Sequence, residues 1–158
     1  MKYYFIQALL ILFLGAIFGL VYNAISPSGI PLFAAQDTTV TGFKMMTTEE
    51  IMLYMKEKKV EIIIVDARSP EEFSLGHIPG AINIPDTDVE NNFVKYQEKL
   101  KKAELIIVYC SGGSCGSSEE VASQLIKKGI SVSKVAVHQE GLPGWIRAKN
   151  PIEYGNGI

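Results

Sequence analysis

The nine residues CSGGSCGSS, Cys110 through Ser118, hold both cysteines of the 158-residue chain. They follow a β-type apolar run, Leu105 to Tyr109, and precede a helix-period segment from Ser118 to Ile126. Cys110 is therefore expected at a strand-to-helix turn. Backbone N–H groups of a glycine-rich turn and of the following helix N-terminus favour an anion where they converge. A thiol there is expected to ionise below its ordinary value of about 8.5, making Cys110 a candidate nucleophile. The candidate cradle is Ser111, Gly112, Gly113, Ser114, Cys115, Gly116, Ser117 and Ser118, with glycines free to adopt the positive φ angles that turn N–H groups inward. Position alone is equally compatible with a buried structural cysteine.

The elements that would hold this loop are legible in the flanking sequence. Thr47-Thr48-Glu49-Glu50 is a capping box opening a helix to about Lys58. Glu61 to Val65 is a continuous β-branched run of the kind buried in the middle of a parallel sheet. Pro70 starts a short helix through Phe73, and Ala81 to Ile84 is a short strand. Val89, Phe93, Tyr96 and Leu100 recur at helical spacing, and Gly129 stops the helix that follows the cysteine loop. Lys134 to Val137 is a last strand, followed by a turn into a short helix at Gly141-Leu142-Pro143-Gly144-Trp145. Alternating strands and helices imply right-handed βαβ units, hence an α/β fold with a central, mostly parallel sheet of about five strands.

Other polar residues read mainly as structure. Asp66 and Arg68 end a strand where an α/β sheet places functional groups, yet an ion pair between Arg68 and Glu72 is the simpler expectation. His77 fits a hydrogen-bonded turn histidine better than a base. His138 follows a strand and is a candidate for the pocket mouth, and Trp145 is expected as a core anchor beneath the loop. No metal site is expected, because two thiolates with only His77 and His138 lack zinc-ligand spacing, and no cofactor is implied.

Net charge is −2, which does not favour nucleic acid as a partner. The lysine clusters Lys56-Lys58-Lys59 and Lys99-Lys101-Lys102 fit solvated helix ends. Phe5 to Tyr22 is 18 uncharged residues in which only Gln7 is strongly polar. At 1.5 Å rise these span about 27 Å, close to a hydrocarbon core of about 30 Å. A single N-terminal transmembrane anchor is expected over residues 1–24, with a cleaved signal peptide as its rival. Lys2 and the bracketing tyrosines Tyr3, Tyr4 and Tyr22 put the N-terminus inside and the remainder on the periplasmic or extracellular side. Residues 25–40, carrying Pro27, Gly29 and Pro31, read as a flexible linker to a domain over 41–158.

Three separated blocks resemble the rhodanese-like sulfurtransferases: Asp66 to Pro85 (DARSPEEFSLGHIPGAINIP), Val108-Tyr109-Cys110-Ser111-Gly112-Gly113, and Gly141 to Trp145. The resemblance implies a three-layer rhodanese-like fold and a Cys110 that takes a sulfane sulfur from a donor such as thiosulfate or a persulfide. Cys110 would hold it as a persulfide and pass it to a thiophilic acceptor, either a thiol or a partner protein at the membrane. Asp66, Arg68, Glu72 and His77 would support the site. One departure concerns the loop. In the family a serine opens the next helix about six residues past the catalytic cysteine; here Leu125 aligns Ser118 with it, eight residues past Cys110. The longer loop predicts a wider cradle and weakens thiosulfate as preferred donor. Phosphatases sharing the fold clamp their oxyanion with a loop arginine, and no Arg or Lys lies between Cys110 and Lys127. The second departure is Cys115, for which three roles remain open: a redox pair with Cys110, a resolving thiol attacking its persulfide, or a bystander. An exported thiol-disulfide protein using both cysteines is one alternative, opposed by the lack of C-x-x-C spacing. A catalytically quiet binding module is another, opposed by the retained cysteine.

Overall fold

A computed structural model describes residues 2–26, 42–57, 60–113 and 115–155. The chain divides into two compact units, residues 1–39 and 40–158. In the first, α1 (Lys2–Ile25) is a single helix of 24 residues, long and apolar enough to cross a membrane. An export signal at an N-terminus has the same length and composition. The expected linker falls almost wholly outside the described residues.

The second unit is a five-stranded, all-parallel sheet in the order β1-β5-β4-β2-β3. Its strands are β1 (Lys44–Met46), β2 (Ile62–Asp66), β3 (Ile82–Asn83), β4 (Leu105–Tyr109) and β5 (Val135–His138). The helices are α2 (Thr48–Glu57), α3 (Pro70–Ser74), α4 (Val89–Lys102), α5 (Ser117–Lys127) and α6 (Gly141–Arg147). Strand alternation sends successive side chains of β4 to opposite faces. Ile106 and Val108 pack with Phe93 and Leu100 of α4 and Val121 and Leu125 of α5. Ile107 and Tyr109 pack with Ile51 of α2, Phe73 of α3 and Trp145 of α6. The result is the expected three layers, with β4 and β2 in the middle of the sheet. Fully burying each such side chain stabilises the fold by about 1.5–3 kcal/mol.

Local expectations hold with small shifts. Thr47 and Glu50 make the reciprocal capping bonds, Glu50 N–H to Thr47 Oγ1 at 3.3 Å and Thr47 N–H to Glu50 Oε2 at 2.9 Å. The helix runs through Glu57, and its expected end at Lys58 lies outside the described residues. A second capping box, Ser69 with Glu72, opens α3 behind Pro70. Gly129, at φ +96°, ends the chain segment after α5 as anticipated. β1 was not expected: only one of its three residues is buried, so Lys44-Met45-Met46 carries no periodic signal.

Candidate active site

β4 delivers Cys110 to the end of the sheet, where its side chain is 2% exposed. The backbone N–H groups of Gly112 and Ser118 stand near enough to favour its thiolate. The Ser118 hydroxyl donates to it at 3.5 Å, and the Cys110 thiol donates to the Cys115 carbonyl, also at 3.5 Å. Ser118, expected to open the helix, is instead the second residue of α5, behind Ser117 and a Gly116 cap, and from there its hydroxyl reaches Cys110. Cys115 is half-buried and packs against the buried cluster that contains Cys110, and the N–H groups of Ser111 and Ser117 favour its thiolate. Ser114, the remaining member of the expected cradle, lies outside the described residues.

The loop is held from beneath by the start of α6. Leu142 N–H donates to the Cys110 carbonyl at 3.0 Å. Gly141, at φ +58°, comes so close that a Cβ there would lie 2.4 Å from Cys110 O and 2.5 Å from Gly112 N. Gly112, at φ +76°, is its counterpart, since a Cβ there would sit 2.5 Å from Glu140 O. Each glycine is required both by its left-handed backbone and by the close approach of the opposite chain. Trp145 anchors this turn in the core at 1% exposure, with Nε1 donating to Pro151 O at 2.7 Å.

The ionisation of the two thiols departs from expectation. Cys110 is pushed up from the ordinary thiol range, first by burial and then by Cys115, against the opposing pull of Ser118 and Gly112. The expected lowering rested on the N–H groups alone, and desolvation of a charge in an almost closed site outweighs them. Cys115 is instead held below the ordinary range. Burial opposes that, but the Cys110 thiol, the Ser117 and Ser111 N–H groups and the Ser117 hydroxyl overcome it.

The surroundings of the loop are acidic. Glu72 Oε1 accepts from the Ser111 hydroxyl at 3.3 Å, and Asp86 Oδ2 accepts from the Ser117 hydroxyl at 2.5 Å. Glu119 and Glu120 stand in the first turn of α5. Asp86 was not anticipated; it follows the Pro85 that closes the first motif block, and nothing in its spacing announces a partner in the cysteine loop.

Asp66, Arg68 and His77 form a separate buried knot. Arg68 pairs with Asp66, not with Glu72: Nη2 lies 2.5 Å from Asp66 Oδ2, and Nε lies 3.0 Å from Oδ1. The partner is closer in sequence because Asp66 and Arg68, two apart, share one face at the end of β2, while Glu72 turns outward to cap α3. Arg68 also donates to Gly76 O at 2.8 Å and covers the Tyr109 ring at 5.8 Å from its centroid. His77 Nδ1–H donates to Phe73 O at 2.9 Å and its ring stacks on Phe73, the turn role expected of it. His138 is buried rather than placed at a pocket mouth; it meets the Thr48 hydroxyl at 3.0 Å. That hydroxyl donates to Glu140 Oε2 at 2.6 Å, tying α2 to the turn under the loop. Burial lowers the His138 pKa against the pull of Glu140 and Glu49.

The Rhodanese-like domain model matches residues 47–148, nearly all of the second unit. The chain belongs to the rhodanese-like family. It is 33% identical to the protein YibN of Escherichia coli K12 over 121 residues, covering 73% of this chain and 81% of that protein. The thiosulfate:glutathione sulfurtransferase of Saccharomyces cerevisiae is 21% identical over 121 residues, 71% of this chain and 84% of that one. Among solved structures, the BH2092 protein of Bacillus halodurans superposes with a TM-score of 0.61 at 25% identity, over 72% of this chain and 77% of that one. A thiosulfate sulfurtransferase from Pseudomonas aeruginosa gives 0.57 at 26% identity, over 73% of this chain and 21% of that one. The rhodanese-like relatives thus include sulfurtransferases, and the central all-parallel sheet with helices on both faces is the family's architecture.

Proposed function

We propose that this rhodanese-like protein is a sulfurtransferase in which Cys110 takes up a sulfane sulfur as a persulfide and yields it to a thiophilic acceptor. The observation that carries the reading is the placement of Cys110: a thiol at the end of the central strand, with the Ser118 hydroxyl donating to its sulfur at 3.5 Å and the N–H groups of Gly112 and Ser118 near enough to favour its thiolate. Donors of this kind stabilise a sulfur anion as it develops. A thiol of raised pKa is mostly protonated at neutral pH, but its smaller thiolate fraction is intrinsically more nucleophilic. The carboxylates of Glu72 and Asp86 beside the loop favour an uncharged or organic sulfane donor over dianionic thiosulfate.

Residues 1–24 anchor the protein in a membrane, and Lys2 ahead of the apolar run favours a domain facing the periplasm or cell exterior. An acceptor thiol or a redox partner protein at the membrane would then receive the sulfur. The test is Cys110→Ser in the full chain. Transfer from a glutathione persulfide donor to cyanide is expected to vanish, because an unactivated hydroxyl forms no persulfide. Transfer near the wild-type rate would overturn the assignment.

A further inference from the structure

The lengthened loop does more than widen a cradle. It holds two sulfurs side by side, each with its own set of donors. The Cys110 thiol donates to the Cys115 carbonyl at 3.5 Å, and Cys115 packs against the buried cluster to which Cys110 belongs; the backbone of Gly112 and Ser118 favours the Cys110 thiolate, and that of Ser111 and Ser117 the Cys115 thiolate. The two differ in access, Cys110 being 2% exposed and Cys115 half-buried. They also differ in state: the Cys115 thiol is pulled below the ordinary range while Cys110 is pushed above it. The thiol that meets solvent is therefore the more acidic of the two, and the one sealed behind it holds its proton more tightly.

We infer that Cys115 is a second sulfur-carrying residue, the port at which sulfane sulfur is taken up, and that it relays the sulfur to Cys110 in the interior. The inference rests on the persulfide reading of Cys110 and adds a step before it. In the first step the Cys115 thiolate attacks the terminal sulfur of an organic persulfide, R–S–SH. A Cys115 Sγ–S bond forms, the donor S–S bond breaks, and its electron pair leaves with the donor as R–S⁻. In the second step Cys110 Sγ attacks the terminal sulfur of the Cys115 persulfide. The Cys110 Sγ–S bond forms, the Cys115 Sγ–S bond breaks with its electron pair on Cys115 Sγ, and the proton given up by the Cys110 thiol ends on Cys115. Both steps exchange one S–S bond for another, so neither cysteine is oxidised and no external redox partner is consumed. Discharge to an acceptor thiol is the reverse path.

The experiment uses the full chain in detergent, reduced, then given glutathione persulfide at less than one equivalent and quenched at intervals. Intact mass counts sulfur atoms gained, and fragment-ion spectra assign them to Cys110 or Cys115. In wild type the added sulfur is expected first on Cys115 and then on Cys110, with the total per chain constant through the second phase. In Cys110→Ser it is expected to stop on Cys115, with Trp145 fluorescence confirming the fold. Sulfur found on Cys110 from the earliest time, with Cys110→Ser taking up none, would overturn the relay while leaving the Cys110 persulfide intact. A chain that loses the mass of two hydrogens and releases one sulfide would also overturn it, showing Cys115 to attack the inner sulfur and form a disulfide. Wild type that never holds sulfur on Cys110 would overturn the underlying sulfurtransferase reading itself.

Discussion

Gly141→Ala tests how the start of α6 positions the nucleophile. The substitution has two costs that can be separated. Alanine at φ +58° adopts the left-handed region at about 1–2 kcal/mol. Its Cβ would also sit 2.4 Å from Cys110 O and 2.5 Å from Gly112 N, both backbone atoms that cannot rotate away. Overpacking of this kind costs a further 1–3 kcal/mol or so, giving a sum of about 2–5 kcal/mol. Gly129→Ala is the matched control, since it has φ +96° and nothing within 4 Å of its Cβ, so only the conformational cost applies. Trp145 is the single tryptophan and lies in α6 beside the altered turn, which makes its fluorescence the natural readout of urea unfolding. With a slope of about 2 kcal/mol/M, the midpoint should fall by roughly 1–2.5 M for Gly141→Ala and by roughly 0.5–1 M for Gly129→Ala. The first variant should also lose sulfur loading of Cys110, because the backbone that must yield carries Cys110 and Gly112. Equal midpoint shifts, or a Gly141→Ala protein that loads sulfur normally, would refute the view that this close contact sets the loop.

Further outcomes follow from other parts of the molecule. Arg68→Ala leaves Asp66 as an unpaired charge at 0% exposure and should destabilise the domain by about 3–5 kcal/mol in urea unfolding. Arg68→Met/Asp66→Leu, which removes both charges, should recover much of that loss. Because Cys115 is shifted down and Cys110 up, iodoacetamide near neutral pH should alkylate Cys115 first, with the Cys110 rate still climbing above the ordinary thiol range of about 8.5. Cys110 reacting first at neutral pH would contradict both the burial and the ionisation order. The full chain should remain in the membrane fraction after alkaline carbonate washing, at its unprocessed mass; a mature N-terminus found within residues 24–40 would make α1 an export signal.

The sheet was legible because its strands are buried on both faces. Runs such as Ile62 to Val65 and Leu105 to Tyr109 leave no competing periodicity, and Thr47, Pro70 and Gly129 mark helix ends by local chemistry. The position of Cys110 between such a strand and α5 was legible for the same reason. β1 was hidden because an edge strand of three residues, paired only with β5, has too little apolar pattern to register. Ionisation of the cysteines was not legible either. Spacing reveals N–H groups near a sulfur, but the opposing desolvation depends on how completely the packed domain buries it, which is a tertiary fact. The partner of Arg68 was misjudged by assigning Glu72 from helical proximity, when Glu72 is occupied with the Ser69 cap and with Ser111. Asp86 and Glu140 entered the site through contacts 31 and 92 residues long in sequence, with Ser117 and Thr48.

The carboxylates of Glu72 and Asp86 beside the loop have a consequence for how fast different donors arrive. A dianion approaching Cys115 climbs a repulsive potential that dissolved ions screen over about 10 Å at 0.1 M salt. Its second-order rate of sulfur delivery should therefore rise with ionic strength, whereas an uncharged organic trisulfide, feeling little of that field, should be delivered at a nearly constant rate. Thiosulfate and neutral donors would then change their order of effectiveness with the salt around the domain alone, without any change in the loop. The ratio of the two rates, measured from low to high salt, therefore reads the charge of the loop's surroundings directly.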